Sequence, residues 1–219
     1  MRTKKNVVIV GGSTGIGKGI VEAFNKKEYN IYSISRDNCD ISNTQDIDNY
    51  FKSIPYIDIL INNAAINFCK KIEDISFNEW NSVINVNLSS YFYIIKTSLP
   101  KMSKGGKIVN VSSIAGRNKS LVSGVHYTSS KAGLIGLTRQ LAQELGPKGI
   151  NINCVCPSQT LTPMLERSMT KKQLKELSSN IPLRRVATID EIVDPILFLC
   201  SEGASYIHGA CLDINGGQL

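Results

Sequence analysis

The chain has 219 residues, 42% of them hydrophobic, and 25 basic against 18 acidic side chains give a formal net charge of +7. That balance suits one globular domain spanning 1–219, long enough to bury a core without disulfides or metal. The six cysteines are scattered with no CxxC pair, no stretch approaches the ~18 apolar residues of a membrane span, and the basic residues are dispersed, so a zinc site, a membrane anchor and a nucleic-acid partner are not expected.

In chain order, the first apolar run, 7–10, reads as a strand, and it stops at Gly11-Gly12, too short for a signal peptide. Cytoplasmic location is therefore the expectation. A helical spacing over 16–27 follows, then strands at 31–34 and 57–61, a helix over 77–99 and a strand at 107–111. A helix over 125–145 carries Leu134, Leu137, Leu141 and Leu145 at three- and four-residue spacing. Gly146-Pro147 stops it, and a strand at 150–155 comes next. The strand runs are near-continuously apolar, as in strands buried on both faces. Their alternation with helices predicts an α/β fold, a doubly wound parallel sheet that binds ligands beyond the carboxyl ends of its strands.

The candidate chemistry falls at those ends. Gly11, Ser13, Gly15, Ile16 and Gly17 lead from the first strand into the first helix. Glycines let the backbone turn sharply, and the free N–H groups of a helix start attract a pyrophosphate. The stretch from Gly12 to Lys18 also fits the opening of a triphosphate-binding P-loop, but Gly19 stands where that motif needs a magnesium-binding hydroxyl. Tyr127 and Lys131 lie four apart and so on one helical face. A nearby cation lowers a phenol towards a pKa useful for proton transfer. Ser112-Ser113 follows one strand and Asn62-Asn63-Ala64 another, where their polar groups can join the site.

Together these motifs resemble the short-chain dehydrogenases/reductases, in particular bacterial 3-oxoacyl-carrier-protein reductases and related alcohol and sugar dehydrogenases. The resemblance covers nearly the whole chain: the glycine loop, Cys39-Asp40-Ile41-Ser42, Asn62-Asn63-Ala64-Ala65, Asn85-Val86-Asn87-Leu88, Val109 to Gly116, Tyr127 with Lys131, Asn151 to Pro157, Thr162-Pro163-Met164 and Leu212 to Gly217. It implies a Rossmann-type fold and an NAD(P)-dependent oxidoreductase moving a hydride between nicotinamide and a carbonyl or alcohol. In that scheme Tyr127 is the general acid/base and Lys131 lowers its pKa and holds the nicotinamide ribose. Ser113 holds the substrate oxygen, and Asn87 supports a water relay to Lys131. Gly11, Gly15 and Gly17 turn around the pyrophosphate, Asp40 and Ile41 bracket the adenine, and Asn63 and Ala64 lie under the adenosine ribose. Pro157, Thr160 and Thr162 contact the nicotinamide side, 158–186 forms a substrate lid, and a homodimer or homotetramer is implied.

The sequence also departs from that pattern. Val10 replaces a Thr, and Ala65 and Ser158 replace glycines. Only Asp37-Asn38-Cys39 separates Arg36 from Asp40, which predicts a truncated second crossover and a barer adenine side. Counting from Gly17, the position that would be acidic in an NAD enzyme is Ser35, followed by Arg36. This favours NADP(H), with NAD(H) possible through Asp37. A non-catalytic NAD(P)-binding regulator and a P-loop nucleotidase are the alternatives. The second has a direct test: the missing hydroxyl at Gly19 predicts no magnesium-dependent ATP or GTP hydrolysis by the purified protein.

Overall fold

Side-chain alternation along the apolar runs sorts the core into two halves, one on each face of a six-stranded parallel sheet. The computed structural model describes residues 4–25, 29–120 and 122–219, the side chains of Met164 and Ser168 excepted. The strands are β1 (Lys5–Val10), β2 (Tyr29–Ile34), β3 (Ile57–Asn62), β4 (Met102–Val111), β5 (Asn151–Pro157) and β6 (Cys211–Ile214). Their spatial order is β2-β1-β3-β4-β5-β6, with every pairing parallel. The helices are α1 (Gly15–Asn25), α2 (Thr44–Lys52), α3 (Phe77–Ile84), α4 (Ser90–Ser98), α5 (Val125–Leu145), α6 (Pro163–Ser168), α7 (Lys171–Ser179) and α8 (Asp190–Leu199).

Val7, Ile9, Ile59, Ile61, Val109 and Val111 project to one face, where Ile20 and Phe24 of α1 and Ile192, Val193 and Ile196 of α8 cover them. Val8, Val10, Leu60, Ile108 and Ile152 project to the other, against Ile47 and Phe51 of α2, Tyr91, Ile94 and Ile95 of α4, and Leu134 and Leu145 of α5. The expected doubly wound sheet is thus formed, with helices on both faces. Among the described residues no helix is long and apolar enough to cross a membrane.

Two local differences matter for the site. The helix expected over 77–99 is interrupted: α3 ends at Ile84, residues Asn85–Ser89 form a π turn, and α4 resumes at Ser90. A π turn inserts an extra residue into the helical ladder and is frequent at functional positions; here it carries Asn87. The strand β6, absent from the sequence expectation, is only four residues long. The stop after α5 comes as expected, through a short 3₁₀ turn at Gly146–Lys148 and then Gly149 in the left-handed region at φ 67°.

The second crossover is abbreviated. Residues 35–43 lead from β2 into the nine-residue α2, whose first turn is capped by the Asn43 side chain accepting from the Gln45 N–H. β2 is left at the sheet edge, with only Ile34 of its six residues buried.

The centre of the sheet carries most of the apolar burial, so truncation there is the sharpest test of the packing. Ile61→Ala, at a fully buried position on β3, is expected to lower unfolding free energy by about 2–5 kcal/mol. Urea unfolding with an unchanged denaturant slope checks it.

Candidate active site

Three groups of sequence-predicted residues meet along the carboxyl ends of the strands. At the end of β1, Gly11 takes φ 82° and its N–H donates to the Ile34 carbonyl at 2.8 Å. A Cβ on Gly17 would lie 1.8 Å from the Gly11 carbonyl oxygen, so α1 can start this close to the turn only with glycine there. Asn63 locks the arrangement from β3: its Nδ2 donates to the Gly11 carbonyl at 3.0 Å. The N–H groups of Asn63 and Ala64 both donate to the Val10 carbonyl at 3.0 Å. Gly15, at φ 54°, opens α1 and faces Thr162, whose Cγ2 would be 3.5 Å from a Cβ there. Ser13 is exposed and Ile16 half-buried. The result is a tight glycine turn at the start of α1, where helix-start N–H groups favour an anion.

The residues expected at the adenine lie beside β2. Asn38 ties its loop down, accepting from the Ser35 N–H and donating to the Ser33 carbonyl, each at 2.9 Å. Asp40 accepts from the Ser42 N–H at 2.9 Å and from the Ser42 hydroxyl at 2.7 Å. Those bonds hold its carboxyl below the usual range, with a smaller pull from Arg36. Asp40 therefore caps its own loop. Ile41 packs against the α2 side of the core. A cleft of about 360 Å³ opens here, lined by Arg36, Asp37, Asp40, Asp46, Asn49 and Tyr50 among others.

The Tyr-Lys pair stands at the start of α5. Lys131 is only 1% exposed; its Nζ donates to the Val111 carbonyl at 2.7 Å and lies 5.7 Å from the centroid of the Tyr127 ring. Burial pushes its ammonium down to about 8, with Cys154 and Cys156 acting weakly in the other direction. Burial raises the Tyr127 phenol, and the polar Ser113 side chain acts in the other direction. Ser113 also caps the 3₁₀ turn Ile114–Gly116, accepting from the Ala115 N–H at 3.1 Å. Ser112 donates to the Lys131 carbonyl at 2.8 Å, and a Cβ on Gly116 would sit 2.6 Å from the same carbonyl carbon. The β4 loop and α5 are thus pressed together around the pair.

Asn87 is fully buried in its π turn. Its side chain accepts from the Ile66 N–H and donates to the Ile66 carbonyl, both at 2.9 Å, and donates to Ser130 Oγ at 3.1 Å. Ser130 in turn donates to the Tyr127 carbonyl at 2.7 Å. Asn87 thereby reaches the catalytic helix through Ser130. On the nicotinamide side, Pro157 ends β5 beside Ile214. Thr160 is buried and bridges to Ala187, and Thr162 caps α6 by accepting from the Leu165 N–H at 3.3 Å. The Met164 side chain, expected in the lid, lies outside the described residues.

Three positioning side chains escaped the sequence reading. Tyr91 is fully buried and donates its hydroxyl to the Ala64 carbonyl. Ser130 was passed over although it lies three residues from Tyr127 on the same face. The buried His126 accepts from the Tyr127 N–H through Nδ1 at 2.9 Å, at a helix start whose cap, Gly124, offers no side chain. A buried aromatic with a polar tip usually finds a partner, but the partner itself is not readable from sequence.

An anion-binding helix start beside a proton-donating phenol is what hydride transfer with a dinucleotide requires, and the class is that of the NAD(P)-dependent oxidoreductases. The family model described as "Enoyl-(Acyl carrier protein) reductase" matches residues 37–218. The 3-oxoacyl-[acyl-carrier-protein] reductase FabG of Buchnera aphidicola subsp. Baizongia pistaciae is 36% identical over 241 aligned positions, covering 99% of this chain and 98% of that protein. A 3-oxoacyl-[acyl-carrier protein] reductase from Brucella melitensis, solved with bound NAD, superposes with a TM-score of 0.87 at 28% identity, covering 99% of this chain and 92% of that one. A Tyr-to-Phe variant of ElxO with NADPH bound gives 0.90 at 28% identity, with 99% of both chains covered. The chain belongs to the short-chain dehydrogenase/reductase family.

The buried ammonium has a measurable consequence. With its pKa in the fold near 8, below that of free lysine, the unfolded chain binds more protons at higher pH, so this penalty is fully present below pH 8 and fades as pH rises towards 10. Lys131→Met is expected to unfold at a free energy about 2 kcal/mol higher than the parent at pH 7. The gap should narrow in the same denaturant titration near pH 9.5, and turnover should be lost at both.

Proposed function

We propose that this chain reduces a carbonyl to an alcohol, and catalyses the reverse, with Tyr127 as general acid/base. The observation that carries this reading is the buried Lys131 ammonium standing 5.7 Å from the centre of the Tyr127 ring at the ends of β4 and α5. In the reducing direction the Ser113 hydroxyl holds the carbonyl oxygen. Tyr127 gives its phenolic proton to that oxygen as negative charge develops there. Lys131 then stabilises the phenolate left behind, and its own position is kept by the Val111 carbonyl. The bound nicotinamide supplies the hydride.

The residues that would hold the dinucleotide are Gly11, Ser13, Gly15, Ile16 and Gly17 at the pyrophosphate, Arg36, Asp40, Ile41, Asn63 and Ala64 at the adenosine, and Pro157, Thr160 and Thr162 at the nicotinamide. We favour NADP(H), because Arg36 is exposed just past the end of β2 and a guanidinium suits a ribose phosphate. One observation favours NAD(H): Asp37 Oδ2 lies 3.5 Å from Ser35 Oγ, where a carboxylate could take ribose hydroxyls. The near full-length likeness to a 3-oxoacyl-carrier-protein reductase supports a 3-oxoacyl thioester as substrate, under a lid formed by α6 and α7. A homodimer or homotetramer and a cytoplasmic location complete the reading.

Tyr127→Phe is expected to lower kcat for a 3-oxoacyl thioester by at least about 10²-fold while NADPH fluorescence titration gives an unchanged Kd. Retained turnover would refute the assignment. In the same titration the parent should bind NADPH about tenfold more tightly than NADH, and Arg36→Ser should remove most of that difference. Tighter NADH binding would keep the mechanism and transfer the adenine-side role to Asp37.

A further inference from the structure

Three of the six cysteines meet on one face of the sheet, against α5. Cys154 and Cys156 are two apart on β5 and so point the same way; both are fully buried. Cys211 opens β6 and is the register partner of Cys154 across the parallel pair. It packs against the cluster that Cys154 and Cys156 form with Ile135 of α5. All three are free thiols, and Cys211 alone of them keeps partial exposure. Neighbouring strands stand about 4.8 Å apart, inside the Cα separation that a disulfide spans. Cys156 is paired in register with Asp213 instead, which leaves Cys154 as the thiol facing Cys211.

Positive charge converges on the same spot. Arg139, one helical turn beyond Ile135 on α5, acts on Cys211 through its positive charge. Arg117 adds a second guanidinium, held by its two bonds to Asp213 at 3.1 and 3.0 Å. The Lys131 ammonium faces Cys154 and Cys156 from α5.

We infer that Cys211 and Cys154 form a peroxide-reactive modification site, in which Cys211 attacks the oxidant and Cys154 resolves the product into a disulfide between β5 and β6. The adjacent Cys154 thiol, then the charges of Arg139 and Arg117, hold the Cys211 thiol below the ordinary range. The adjacent Cys156 and Cys211 thiols, together with burial, raise the Cys154 thiol. Cys211 is therefore the thiol that meets the oxidant first, since the thiolate is the nucleophile. The Cys211 thiolate attacks a peroxide oxygen, the O–O bond breaks, and hydroxide leaves and is protonated to water, giving a sulfenic acid on Cys211. The Cys154 sulfur then displaces the hydroxyl from Cys211 sulfur, its proton leaves with that hydroxyl as a second water, and the S–S bond forms. Two thiols are oxidised and one hydroperoxide is reduced to two waters. A thiol reductant reverses it by exchange.

The test treats the reduced, folded full-length protein with hydrogen peroxide, alkylates what remains, and maps the peptides by tandem mass spectrometry. A Cys154–Cys211 cross-link that dithiothreitol removes is expected, with alkylatable Cys211 lost on the order of tenfold faster than that of the exposed Cys69. In Cys154→Ser, Cys211 should stop at a sulfenic acid trapped by dimedone. In Cys211→Ser, which should keep the parent's turnover and melting temperature, Cys154 should stay a thiol. Oxidation confined to Cys69, or a link from Cys211 to a cysteine other than Cys154, would overturn the inference.

Discussion

Lys131 carries its ammonium inside the protein, and much of the carboxyl end of the sheet is arranged around that burial. An unpaired interior charge is expensive unless it is hydrogen-bonded or neutralised. Here the Val111 carbonyl takes one of its protons at 2.7 Å, and burial has already moved its pKa down to about 8. To offer that carbonyl, β4 must end beside α5. The contact of Gly116 with the Lys131 backbone and the bond from Ser112 to the Lys131 carbonyl keep it there. The same closure brings Ser113 to Tyr127. A hydroxyl, a phenol and an ammonium therefore meet because one charge had to be housed.

A second polar network ties the strands to that helix from below. Asn62 on β3 donates to Asn110 on β4 at 2.9 Å, and Asn110 donates to Thr138 on α5 at 3.0 Å. Thr138 bonds the Leu134 carbonyl at 2.8 Å. All three side chains are fully buried, where such bonds are strong and misplacement is costly. Asn62 precedes Asn63, which clasps the glycine turn, and Asn110 lies near the end of the strand that leads to Ser113. The register of cofactor and catalytic residues is thus set by hydrogen bonds inside the sheet as well as by apolar packing. Asn87, through Ile66 and Ser130, performs the corresponding task between the β3 loop and the Tyr127 turn.

The short second crossover leaves the glycine turn supported. β2 ends at the sheet edge with little burial, yet Ile34 still accepts from Gly11 and Gly12, so the phosphate turn keeps its support. What changes is the adenine end, where a short loop held by Asn38 and Asp40 borders an open cleft. The alignment with the Buchnera reductase runs to 241 positions against 219 residues here.

The amino-acid sequence by itself determined the strand-helix alternation, the glycine turn and the placing of Tyr127 four residues before Lys131. Each of these is a short-range periodicity or a backbone requirement written in adjacent residues. It also carried the abbreviated crossover, because the spacing from Arg36 to Asp40 is a property of the chain alone. Only the tertiary structure decided that Asn87 sits in a π turn and works through Ser130, and that the hydroxyl of Tyr91 supports Ala64. It also decided that Asp40 spends its carboxylate on Ser42, and that Cys211 faces Cys154. The physical reason is that these outcomes depend on which surface each segment meets. The last is a strand register joining residues far apart in the chain, and β6 is too short to announce itself by alternation. Local pattern specifies the elements, whereas packing and register choose the partners of their polar groups.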